Sequence, residues 1–261
     1  MIFGFIPLVN QWGELIQQLT QREIKARYKQ SILGYAWVVL APLLKLTTLS
    51  IVFKYFFKIN TGEIPYSLFL FTALVPWTYT ANAVSAATSS LIANAALITK
   101  IKMPRVIFPI SAILVKLVDL GLSTAVLLAL MLTMGQPIYW TIIWLPLIFL
   151  VQMVMTLGVS LILSALNVFY RDVENLLEVF LMIWMYLSPV IYPPEYVPET
   201  WRMVYNLNPM VGIINAYRNT LLYGVAPPWE SFGYAILVTA GVFIIGWRYF
   251  QKRQAVFADV I

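Results

Sequence analysis

Apolar positions run along the chain in long blocks rather than in short amphipathic periods. Six blocks approach or exceed the roughly 20 residues a helix needs to cross a bilayer core: about 33–57, 66–90, 106–134, 138–166, 174–192 and 230–250. The third and fourth are long enough to tilt. Only Gly135 to Pro137 separates them, which predicts a tight turn between antiparallel helices. The fifth starts among carboxylates, so its edge is less sharply marked. No internal repeat, low-complexity tract, soluble domain or inverted symmetry interrupts the pattern. The predicted fold is an all-α integral membrane protein, one domain over residues 1–261 with six transmembrane helices.

Three segments are neither spans nor simple loops. From Gln11 to Lys29, Trp12, Leu15, Ile16, Leu19 and Ala26 share one helical arc, with Arg22, Lys25 and Lys29 in a neighbouring stripe. This predicts an amphipathic helix over about 10–30, its apolar arc in the acyl boundary and its cations toward phosphates, either as a topological anchor or as a docking surface for a partner. Between Pro198 and Gly224, two apolar pieces too short to span flank Asn208-Pro209, the pattern of a re-entrant hairpin or of an interfacial lid. Arg202 and Arg218 are expected near the mouth of that hairpin. Residues 94–105 offer a short apolar stripe (Ala95, Leu97, Ile98, Ile101) that stops at Pro104, a helix too short to be stable unless it packs against something.

Charge fixes the expected orientation. Arg22, Lys25, Arg27, Lys29, Lys100, Lys102, Arg105, Arg171, Arg248, Lys252 and Arg253 all fall on one face, against few cations on the other. The positive-inside rule then makes both termini cytoplasmic. The opening residues "MIFGFIPLV" lack a basic leader and a small-residue cleavage site, so no signal peptide is expected. Charged residues make up only 11% of the chain, against about 25% in ordinary soluble domains. The absence of His and Cys removes imidazole bases, thiolate nucleophiles, disulfides and the common zinc sites. The net charge of +6 flanks apolar spans, so anionic headgroups explain it better than nucleic acid does.

A few polar and aromatic residues within the spans are candidates for a transport path. Lys45 sits in the first block, and Lys116 with Asp119 in the third. Buried cations need a partner or a wet cavity. Lys116 and Asp119, three apart, either satisfy each other or leave Lys116 to line a hydrated path. Rings cluster at Phe53 to Lys58, including Phe57, and at Trp184 to Tyr192, including Tyr186, where flat faces with polar rims suit sugar stacking. The spaced glycines Gly241 and Gly246 are followed by Trp247 where a phosphate-binding loop needs Lys, so they read as packing, and no ATPase is visible. The run Ala81 to Ser90 reads as a small-residue surface for close helix contact.

In order along the chain stand "REIKARYKQSILGYAW" followed by Pro42, "IPYSLFLFTALVPW", "KIKMPR", "NVFYRDV", "SPVIY", Asn208-Pro209 and a terminal "FADVI". Together these resemble the permease subunit of type-2 ABC exporters for lipid-linked polysaccharides such as O-antigen, capsule or teichoic acid. The resemblance covers essentially the whole chain. It implies a homodimer in a bacterial inner membrane, joined to two ATP-binding cassette subunits that carry ATP and magnesium, with no catalytic residue, metal or cofactor on this chain. The N-terminal helix would be an interface helix and residues 94–105 a coupling helix. Contacts to the ATPase subunit would come from Arg22, Glu23, Arg27, Asn94, Leu97, Lys100, Lys102, Arg105, Tyr170, Arg171 and Asp172. Arg22, Lys25 and Arg27 would attract a polyprenyl pyrophosphate. Lys45, Phe53, Phe57, Lys116, Trp184 and Tyr186 would line the path of the glycan, and Arg202, Asn208, Pro209 and Arg218 would form an outer gate.

Rival readings make different demands. An ion-coupled lipid flippase would act without any ATPase. A membrane glycosyltransferase would have to draw its acid or base from Asp172, Glu174 and Glu178. An exporter of a small amphiphile would share the topology.

Overall fold

The computed structural model describes residues 5–29, 36–101 and 103–261, which fold into helices and connecting turns with no strand among them. Lys102 lies outside the described residues, as does the side chain of Arg27. The first helix, α1, covers Phe5–Lys29. α2, Ala36–Ser50, continues as a wider π-helical turn over Ile51–Phe56. α3 covers Tyr66–Ala93, α4 Ala95–Lys100 and α5 Ile107–Thr133. A 3₁₀ turn at Trp140–Trp144 leads into α6, Leu145–Phe169, which starts with Pro146 in its first turn, where the missing N–H costs nothing. α7 covers Asp172–Tyr186, α8 Glu199–Asn206 and α9 Pro209–Arg218, the last extended by a π turn at Asn219–Tyr223. α10, Trp229–Arg253, and the short α11, Phe257–Val260, end the chain.

Among the described residues, three helical runs are long and apolar enough to cross a bilayer: Ile107–Thr133, Trp140–Phe169 and Trp229–Val260, with mean hydropathies of 2.1, 2.3 and 1.5. α3 is the axis of the bundle. Its residues Leu68 to Trp77 are buried almost without exception, enclosed by α2, α5, α6, α7 and α9. The Ala81–Ser90 run does provide a close contact: Ala83 and Ala87 meet Ala112 and Ile113 of α5.

α6 and α10 pack backbone to backbone. A Cβ on Gly246 would lie 2.3 Å from the carbonyl oxygen of Gly158, and one on Gly158 would lie 2.8 Å from the backbone of Phe243. Small residues let the backbones touch, and dispersion between them replaces the hydrophobic drive that lipid cannot supply. Gly241 has open space around it, so only Gly246 of that expected pair is a packing residue.

Two further expectations need correction. α7 stops at Tyr186, whereas the apolar block runs on to Tyr192. Pro189 cannot donate to the helix and its ring excludes the helical path, and the side chain of Asn208 takes over the freed groups, donating to the Leu187 carbonyl (3.0 Å) and to Ser188 Oγ (2.9 Å). The 15 residues of α7 rise about 22 Å at 1.5 Å each, short of the hydrocarbon thickness. The apolar arc of α1 is covered in large part by protein: Ile16 and Leu19 are buried in a cluster with Leu91, Ile98, Ile107 and Phe257, and Trp12 and Leu15 lean on it.

Candidate functional site

At the basic end of the bundle, the elements expected to meet an ATPase converge on that cluster. It draws α1, the end of α3, α4, the start of α5, the end of α6, and the α10–α11 tail into one apolar node. Polar contacts tie its rim. Arg22 Nη2 donates to Asn94 Oδ1 at 2.8 Å, and Asn94 Nδ2 donates in turn to the Ser90 carbonyl at 2.9 Å. A charged hydrogen bond of this kind contributes about 1.5–3 kcal/mol where it is shielded. On α4, Ile98 points into the node and Lys100 is exposed, with Leu97 half-buried between them.

The turn after α6 joins the same surface. Phe169 meets Phe257 edge to face, Phe257 meets Phe250, and the guanidinium of Arg253 lies 5.7 Å from the Phe169 ring. Tyr170, Arg171 and Asp172 are exposed beside them. Asp172 and Glu174 occupy the first turn of α7, where carboxylates complement the helix dipole. Arg105 is half-buried at the head of α5. Glu23 is half-buried, and burial raises its carboxyl above the ordinary 4.5, with Arg22 and Lys116 pulling the other way. Lys116 thus lies close enough to Glu23 on α1 to act on its charge. Lys45 is exposed on α2.

At the opposite end, α7, α8, α9, α6 and α10 enclose a groove of about 850 Å³ whose walls include Phe180, Trp184, Tyr192, Tyr196, Trp201 and Tyr205. Its geometry hangs on Asn208. The Oδ1 of Asn208 accepts from Trp184 Nε1 (2.9 Å) and caps α9 by accepting from the Met210 amide (3.0 Å). Trp184 is clamped edge-on against Trp77 of α3 and tilted against Phe180. One expected path residue and one expected gate residue are thus a bonded pair. Phe53 and Phe57 stack on each other with centroids 5.2 Å apart, Phe53 packs on the same apolar cluster as Trp184, and Tyr186 is exposed.

Arg202 sits exposed on α8, 3.4 Å from Glu199, a surface pair of small energetic weight. Arg218, expected at the mouth of the hairpin, is instead 2% exposed. α9 is inserted among α3, α6 and α10, so its last turn aims inward. Arg218 donates from Nε to the Phe69 carbonyl (3.3 Å) and from Nη2 to the Val190 carbonyl (3.0 Å), and its guanidinium stacks 3.5 Å from the Phe69 ring centroid.

Gln152 has no motif around it in the sequence. Buried on α6, it donates to the Pro76 carbonyl (2.7 Å) and to Thr80 Oγ1 (2.9 Å), and accepts from Tyr217 Oη (2.8 Å), joining α3, α6 and α9. Asn167 likewise donates to the Thr88 carbonyl at 3.1 Å. Both are amides inside an apolar run, and such residues usually bond across to another helix. The carbonyls of the π turn after α9 are also held from outside: Thr141 Oγ1 donates to Thr220 and Gln136 Nε2 to Leu222, both at 2.8 Å. The turn closes at Gly224, which has a positive φ of 65° and lies against the Tyr139 ring so closely that no side chain fits.

This helical bundle, with its aromatic groove and basic node, matches the ABC-2 type transporter family over residues 14–222. The chain belongs to that family. It is 30% identical over 249 residues to an O-antigen export system permease protein RfbA of Klebsiella pneumoniae, covering 95% of each chain. It is 29% identical to an RfbA of Myxococcus xanthus over 253 residues (96% of each). The polysialic acid transport protein KpsM of Escherichia coli is 23% identical over 246 residues, covering 92% of this chain and 93% of that one. The protein is therefore an ABC-2 permease homologous to polysaccharide export permeases.

Proposed function

We propose that this chain is the membrane subunit of an ATP-driven exporter that carries a lipid-linked, O-antigen-like polysaccharide across the bacterial inner membrane. Both termini are cytoplasmic, α8 and α9 form the outer hairpin, and the fifth of its six membrane passes is completed beyond the short α7 by the turn that follows it. Two copies enclose the path, and each sits on a separate ATP-binding subunit that holds ATP and magnesium.

The observation that carries this reading is the apolar node at the basic end. α1, α4, the end of α6 at Val168 and Phe169 and the C-terminal residues form one packed body there, so a push on the exposed faces of α4 or α1 would move the feet of α3, α5, α6 and α10 together. Bistable packed bodies of this kind convert small displacements into rigid-body rotation. Lys25 is exposed on α1, and Arg22 stands beside it. An apolar crevice of about 590 Å³ between α1, α5 and α6 begins at Gln21, next to Arg22. Cations on a headgroup at about 1 kcal/mol each, with an apolar crevice alongside, suit a polyprenyl pyrophosphate.

Exposed rings at Tyr55, Phe56 and Phe57, and the apolar α7 face from Leu176 to Leu187, support a second copy on that side. The path then runs past Phe53, Phe57, Trp184 and Tyr186. Sugar rings slide over aromatic faces without strong directional bonds, and no covalent step occurs on this chain.

Co-purification with candidate ATPase subunits tests the reading. A stable complex of two permeases and two ATPases, with hydrolysis stimulated by lipid-linked glycan, is expected. Transport driven by an ion gradient in liposomes lacking any ATPase would favour the flippase instead.

A further inference from the structure

A second cavity, about 560 Å³, lies at the hairpin end and shares only the Tyr196 wall with the aromatic groove. Its wall is polar where the groove is apolar. Arg218 lies at its base, and Asn215, Asn219, Tyr223, Tyr196 and Glu195 line it. Two of the guanidinium nitrogens are engaged by the Phe69 and Val190 carbonyls, and Phe69 covers one flat face. The third nitrogen, Nη1, is buried with no partner among the described residues.

An arginine stays charged in proteins, and leaving such a charge buried and half-satisfied is costly. The neutral carbonyls around it solvate it without neutralising it. The Tyr196 hydroxyl accepts from the Asn60 amide (3.3 Å), which leaves its own proton free to donate, and the Asn215 amide and Tyr223 hydroxyl add further donors. Glu195 is the one acidic residue on the wall; it sits at the exposed edge and competes with any incoming anion.

We propose that this cavity is an oxyanion site, in which Arg218 Nη1, Asn215 and the two tyrosine hydroxyls receive a single phosphate or carboxylate group. The volume falls in the range of ordinary small-ligand pockets, and arginine is the side chain best shaped for planar recognition of such oxygens. The site is independent of the transport reading, because it depends only on the local geometry around Arg218. The phosphate can arrive as a soluble ion or as the headgroup of an anionic lipid.

The test uses the full chain. In neutral detergent at constant ionic strength, inorganic phosphate replaces chloride while ³¹P line broadening and the thermal midpoint are followed. In a parallel arm, nanodiscs of phosphatidylcholine are compared with nanodiscs containing phosphatidylglycerol. Saturable broadening and a raised midpoint are expected. Glu195→Gln, which removes the competing charge from an exposed position, should tighten binding several-fold. Asn215→Leu, which removes a donor with no bond to another element among the described residues, should weaken it at least five-fold. A response to phosphate alone marks a soluble ion, and a response to phosphatidylglycerol alone marks a lipid headgroup. No saturable response in either arm, or one of equal size in all three proteins, overturns the proposal.

Discussion

Nη2 of Arg22 on α1 sits 2.8 Å from Oδ1 of Asn94, the residue between α3 and α4. An arginine that composition alone assigns to headgroups or to a partner thus also braces the chain internally. Arg22→Gln and Asn94→Ala should each weaken the coupling of ATP hydrolysis to transport, and the double variant should be little worse than either. A double-mutant cycle on thermal stability should return a coupling of about 1 kcal/mol. Additive losses would mean that the bond does not form.

Gly246→Ala places a methyl group against the Gly158 carbonyl and has to push α6 and α10 apart. The expected cost is on the order of 3 kcal/mol, with much of the protein lost from the monodisperse peak in size-exclusion chromatography. Gly241→Ala, in open space on the same helix, should leave that peak unchanged. Equal behaviour of the two variants would contradict the close crossing.

Asn208 uses both ends of its amide, so its substitutions should be graded. Asn208→Asp keeps the acceptor for Trp184 and Met210 but loses the donations to Leu187 and Ser188, whereas Asn208→Ala loses all four contacts. Export should fall moderately in the first and severely in the second. Trp184→Phe, which loses one bond, should resemble the milder case. Tryptophan fluorescence should shift to the red as Trp184 is released from its packing.

Glu23 supplies a pH dependence. Burial raises its carboxyl above the ordinary 4.5, so the folded state holds the proton more tightly than the unfolded chain does. The associated stability is fully present below 4.5 and is lost as pH rises through the higher folded value. Glu23→Gln should therefore raise the thermal midpoint at pH 7 by roughly 1–3 °C. It should also flatten the fall in stability between pH 4 and 7. An unchanged profile would show that Arg22 and Lys116 cancel the effect of burial, and a lowered midpoint that they outweigh it.

The helices were readable where one property dominates. Long apolar blocks located α3, α5, α6 and α10 because few alternatives exist for such runs. The break at Asn208-Pro209 was legible because Asn caps and Pro starts a helix, and Asn208 does cap α9. Helical phase relative to neighbours was not legible. Arg218 looks like a rim cation until α9 is seen threaded into the bundle, and the arc of α1 looks lipid-facing until α5 is placed against it. Gln152 was passed over because a single amide changes hydropathy little, although its three bonds join three helices.

The glycine crossing of α6 and α10 has a mechanical corollary. With backbones touching at Gly158 and Gly246, no side chain lies between the two helices at their crossing, and the pair is suited to act as a single strut. One end of that strut abuts α9, where Gly212 lies against Ser231, and the other merges with the α11 foot beside α4. A displacement at the foot is therefore expected to carry α6 and α10 together rather than one past the other.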